Sequence, residues 1–76
     1  MTTVEVSIRT LMVALQVLGA EMSRIEEELA RDPGEPDLTE LLLSYSKAEM
    51  EMKARYLEAR ELNHGLPPYE QLVPDA

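Results

Sequence analysis

In the first half of the chain, Val4, Ile8, Leu11, Leu15, Leu18, Met22, Ile25 and Leu29 are spaced alternately by four and three positions. That spacing returns to one side of an α-helix every turn and forms the a/d seam that packs helices at a shallow angle. A strand would scatter the same side chains over two faces. The second half answers with a looser seam of Leu38, Leu41, Tyr45, Ala48, Met52, Tyr56, Ala59 and Leu62.

The breakers agree with two helices. Pro33, Gly34 and Pro36 sit together, and Gly65, Pro67, Pro68 and Pro74 fall near the end. Thr2-Thr3-Val4-Glu5 reads as a capping box, and Asp37-Leu38-Thr39-Glu40 repeats the device. Pro33 biases Asp32 away from helical dihedrals. Asn63-His64-Gly65-Leu66-Pro67 has the order of a Schellman ending, with Gly65 left-handed. These signals predict helices over about 3–31 and 37–63, a loop at 32–36 and a tail at 66–76. So short a connection forces the helices antiparallel. The expected fold is all-α: an αα-hairpin over residues 1–65, each arm roughly 40 Å long, followed by an extended, proline-containing tail.

One hairpin does not use all the apolar residues. Val6, Val13, Val17 and Ala20 lie off the first seam with Met12 and Ala14 at its flanks, while Leu43, Met50, Ala54 and Leu57 form a second stripe on the other helix. A helix apolar on several sides is buried on more than one face. Chains of this size seldom build a sufficient core alone, and with no Cys a disulfide staple is excluded. The expectation is a homodimer, two hairpins making a four-helix bundle. Its core and interface would be Val6, Leu11, Val13, Leu15, Val17, Leu18, Met22, Leu43, Met50 and Leu57.

The chain carries 15 acidic and 7 basic residues, a formal charge of −8. Nucleic acid and anionic membrane would repel it, which argues against both as direct partners. The uncharged run Thr10–Ala20 is far short of the roughly 20 apolar residues a membrane span requires. Glu5 stands where a signal peptide would carry a base, so a cytoplasmic protein is expected. The acids concentrate where the hairpin should turn: Glu26, Glu27, Glu28, Asp32, Glu35, Asp37 and Glu40, against Arg31 alone. The leading reading is a solvated tip that keeps the protein soluble; the alternative is a docking surface for a basic patch. A cation site is disfavoured because consecutive helical residues point in different directions.

Catalytic signals are sparse. Glu61-x-x-His64 has the spacing used in four-helix di-iron sites, and Glu5 would face it across the hairpin. The pair lies at a helix end, however, where His64 also suits the helix dipole, so the leading expectation is no metal and no cofactor. The Met residues fall on apolar stripes and read as gap-filling core. In the tail, Leu66, Tyr69, Leu72 and Val73 are too apolar for a purely solvated segment. The leading reading is that the tail folds back over the open end of the bundle; the alternatives are a peptide ligand presented by Leu66, Pro67, Pro68, Tyr69 and Leu72, or disorder. Tyr45, Tyr56 and Tyr69 are the candidate anchors for a partner, tyrosine being enriched at hot spots. The functional expectation is a non-enzymatic homodimer that binds another protein stoichiometrically, as an inhibitor or anti-activator of a larger regulatory or nucleic-acid-binding protein. A ferritin-like metal carrier and a purely structural subunit are the competing classes.

Overall fold

The structure, a computed structural model, describes residues 2–73; Met1 and the tail residues 74–76, Pro74 among them, lie outside the described residues. Two long helices, α1 (Ile8–Arg31) and α2 (Pro36–Leu62), run antiparallel as an αα-hairpin, and a single helical turn, α3 (Tyr69–Leu72), follows.

Helix α1 begins five residues later than the expected start. Its N-cap is Ser7, whose hydroxyl accepts the Thr10 N–H at 3.1 Å and itself donates to Thr10 Oγ1 at 3.0 Å. Thr2, Thr3 and Glu5 therefore form no cap. The reason is local: Thr2, Thr3, Val4 and Val6 are β-branched and lose rotamer freedom in a helix. Packing cannot compensate, since Val4 is 83% and Val6 58% exposed. The helix stops where Pro33 requires. Asp32 leaves helical dihedrals after donating its N–H to Glu28 O at 2.9 Å, and the Glu35 N–H closes a turn on Asp32 O at 3.3 Å.

Pro36, placed in the loop by the sequence, is instead the first residue of α2. Its fixed φ suits that position and its missing N–H would have been unpaired there anyway. The cap is accordingly Glu35, not Asp37: the Glu35 carboxylate accepts the Asp37 N–H at 3.2 Å. At the far end the expected Schellman motif is absent, because no glycine among the described residues has positive φ. Asn63 exits in extended geometry, and its side-chain oxygen takes the Gly65 N–H at 3.1 Å. An Asx turn does the work assigned to a left-handed glycine.

The α2 seam is also shifted. Ala48 and Leu62 point to solvent, and Leu42 and Glu49 take inward places beside Leu38, Tyr45, Met52 and Tyr56. The first seam packs as read from Ile8 to Leu29, with Leu11, Leu15 and Ile25 buried.

The tail is only partly extended. Pro67 and Pro68 carry the chain back toward the hairpin, and the Pro68 carbonyl then accepts N–H bonds from Gln71 at 3.0 Å and Leu72 at 3.2 Å, opening α3. Tyr69, Leu72 and Val73 enter the main core beside Leu11, Leu15 and Tyr56, with Ile8, Met12, Met52 and Leu66 packed around them. The molecule measures 43 × 31 × 15 Å. Its thinnest dimension is little more than the diameter of one helix, about 10–12 Å. A slab one helix thick buries only what lies between its elements.

A candidate interaction surface

The densest cluster of polar contacts between distant parts of the chain is the seat of the tail. Tyr56, fully buried, donates its hydroxyl to the Pro67 carbonyl. Tyr69, 4% exposed, packs its ring at 6.1 Å from that of Tyr56 and donates its hydroxyl to Glu49 Oε2 at 3.1 Å. The Lys53 ammonium lies 4.7 Å above the Tyr69 ring, a cation–π geometry. Arg60 donates Nε–H to Leu66 O at 3.2 Å. Burial pushes the Tyr56 phenol above its ordinary pKa. The Tyr69 phenol is pushed up to about 12, first by burial, then by its hydrogen bond to Glu49 and that carboxylate's charge.

Gly19 makes the close approach possible. It is buried in α1, and a Cβ built there would lie 2.5 Å from Val73 Cγ1. A side chain at position 19 would therefore push Val73 out of its seat.

This arrangement redistributes the candidate contact residues. Of the proposed anchors, Tyr56, Tyr69 and Leu72 belong to the chain's own core and present no apolar surface in this conformation; Tyr45, Leu66, Pro67 and Pro68 are half-buried. Leu11 and Leu15 are likewise filled positions of the hairpin, and Leu18 and Met22 are half-buried. The other interface candidates stand open: Val6 58%, Val13 53%, Val17 64%, Leu43 56%, Met50 69% and Leu57 42% exposed. Val13 and Val17 follow Leu11 and Leu15 by two residues, roughly 200° around the helix, so they form the back of α1. Leu57 follows the buried Tyr56 by one residue, roughly 100°. Leu43, Met50 and Leu57 thus line a flank of α2, a different face of the slab.

The acidic tip is a solvated surface over most of its extent: Glu26, Glu27, Asp32, Asp37 and Glu40 are exposed, Glu28 and Glu35 half-buried. Arg24 pairs with both Glu21 and Glu28, and its hydrogen bond holds the Glu21 carboxyl below its ordinary pKa. Exposed pairs of this kind contribute little stability. At the other end, His64 Nε2 lies 3.0 Å from the Glu61 carbonyl, a helix-end contact. Among the described residues no three His, Cys, Asp or Glu side chains are gathered as a metal site would require, and Glu5 is exposed on the non-helical lead-in to α1. No helix of the described residues is long and apolar enough to cross a membrane.

The site features missed in sequence are Glu49, Lys53 and Arg60, which read as ordinary surface charge. Val73 counted there among the apolar residues of the tail, and Gly19 stood out as a lone glycine inside a helical pattern, at a cost in helix propensity, without its contact to Val73 being foreseen.

The sequence profile of the T6SS Tsi2-like immune protein family matches residues 4–72, which takes in both helices, the turn between them and the docked tail through α3. The chain belongs to that family. It is 34% identical over 67 residues to the immune protein Tsi2 of Pseudomonas aeruginosa strain PAO1, covering 86% of this chain and 87% of the relative. No solved structure matches significantly. That the Tsi2-like match ends in α3 fits the packing, since the core is incomplete without Tyr69 and Leu72.

Proposed function

We propose that this protein is an immunity protein that neutralises a toxin of a type VI secretion system by binding it stoichiometrically, without catalysis. The observation that carries this reading is the family match over residues 4–72, supported by near end-to-end similarity to Tsi2. The architecture is consistent with it: a small helical slab with unpartnered apolar faces acts by contact. In this reading the target expected from sequence, a regulatory or nucleic-acid-binding protein, is replaced by a toxin. Neutralisation takes place in the cytoplasm, which cell fractionation would test.

The working unit in this proposal is a homodimer. Its seat is the back of α1, where Val13, Val17 and Ala20 are exposed within a window, Thr10 to Ala20, that holds no charged residue. Uncharged helix faces of this kind characterise permanent interfaces, which are more apolar than transient ones. The test is co-expression of this chain with the type VI secretion toxins of its own cell, each of which arrests growth when made alone. With one of them, cells making both should grow, cells making the toxin alone should not, and the two proteins should co-purify in equimolar amounts. Growth arrest that persists under co-expression with every one would remove the immunity reading.

A further inference from the structure

The tail is tied to one helix and pressed against the other. Polar ties run to α2: Tyr56 to the Pro67 carbonyl, Arg60 to the Leu66 carbonyl, and Glu49 and Lys53 to Tyr69. Val73, just past α3, sits on the bare backbone of Gly19 inside α1. Helix α1 is thus gripped by α2 along its length and by the tail at Gly19. The tail's own structure is slight. Helix α3 has 4 residues, too few to persist without tertiary contacts, and it follows a non-helical link at 63–68. The hairpin's packing continues beyond its reach. Ile25 is fully buried outside the cluster that holds Tyr69, Leu72 and Val73, and Leu29, Leu38 and Tyr45 are half-buried toward the turn.

Gly19 is where that grip matters. A glycine inside a helix is about 1 kcal/mol less favourable than alanine, because its backbone is freer and more open to water. Val73 shields it: Gly19 is buried although its neighbour Ala20 is exposed. The turn Gly19–Ser23 carries Ala20 and follows Val17, both on the back of α1. We propose that the tail is a releasable strap, which opens as a unit while the hairpin stays closed and whose opening frees the α1 turn Gly19–Ser23. Segments that open below the global unfolding free energy are those with few buried contacts of their own. Through Val17 and Ala20 the strap is coupled to the pairing of copies, a consequence that rests on the dimer reading above. Seated, it firms the face that pairs, and pairing in turn holds it seated.

Hydrogen exchange of the full chain in sub-denaturing urea tests the strap. The amides of Gln71, Leu72 and Val73, bonded to the Pro68 and Tyr69 carbonyls, should exchange together with those of Gly19 to Ser23. Their shared opening should depend on urea more weakly than exchange around Ile25. Ile25→Val should speed the latter about two- to tenfold and leave both strap groups unchanged, since Ile25 stays packed when the tail lifts. One common urea dependence for all of these amides overturns the strap, and so does tail opening that leaves Gly19–Ser23 protected. Sedimentation tests the coupling. Val73→Ala should raise the dimer dissociation constant at least about fivefold, and adding Gly19→Ala should restore it, because alanine holds the turn without the strap. Equal pairing in Val73→Ala and wild type removes the coupling. A wild-type chain that stays monomeric removes the dimer reading and the coupling together, and the exchange result alone then decides the strap.

Discussion

Tyr69 joins three of the forces that hold the tail: ring burial, a hydroxyl bond to Glu49 and a cation above its face. Its phenol is raised from 10.0 to about 12 in the folded chain. A raised acid favours the neutral form on folding, so the associated stability is complete below pH 10 and is lost as pH climbs toward 12. Urea midpoints measured across that interval should fall with pH, and Tyr69→Phe should flatten the fall, leaving the smaller contribution of Tyr56, whose phenol is also raised. An equal slope in the variant would assign the titration elsewhere. Gly19 poses a contest between two effects. Replacing it by Ala gains about 1 kcal/mol of helix propensity, but the new methyl meets Val73 at 2.5 Å. Overpacking against a short β-branched side chain costs about 1–3 kcal/mol, so Gly19→Ala should be neutral to destabilising by about 2 kcal/mol. Combined with Val73→Ala, the same change should become stabilising relative to Val73→Ala alone. Chemical denaturation of the four variants closes that cycle.

The helices owe their limits to individual groups at their ends. Ser7 satisfies an N–H that α1 would otherwise leave unpaired. Ser7→Ala should therefore cost about 1 kcal/mol in denaturant unfolding, whereas Thr2→Ala and Thr3→Ala should stay within about 0.5 kcal/mol. A larger loss at Thr3 would return the helix start to the N-terminal capping box. The existence of both helices was legible in sequence because a 3.6-residue period is a local property, repeated over many turns. Their ends were less so. A Thr-x-x-Glu pattern stands at residues 2–5, but its β-branched neighbours have nothing to pack on, and propensity alone does not hold a helical turn. On α2, Leu41 and Leu42 are both apolar, so the pattern admits either register. Glu49 settled on the inner side because the tail brings it a phenol to accept from.

For the molecule as a whole, the deciding quantity is how little one copy encloses. Its buried apolar core is Leu11, Leu15, Ile25, Tyr56, Tyr69, Leu72 and Val73, while Val13, Val17, Leu43, Met50 and Leu57 stay open. If the back of α1 joins two copies, Val13→Asp and Val17→Asp should shift sedimentation from dimer toward monomer and lower thermal stability. The same mass as wild type would free that face from any role in self-association. The apolar surplus itself was legible by counting side chains against the two seams. Which part of it remained outside was not. Tyr56, Tyr69 and Leu72 look as suited to a partner as Leu43 or Met50 when read along the chain. The chain by itself determined the two helices, the break between them at Pro33 and the excess of apolar surface, because each follows from spacing, proline stereochemistry or composition. Only the tertiary structure decided that the tail is core rather than ligand, since that depends on Gly19, Glu49, Lys53 and Val73 meeting across positions up to 54 residues apart.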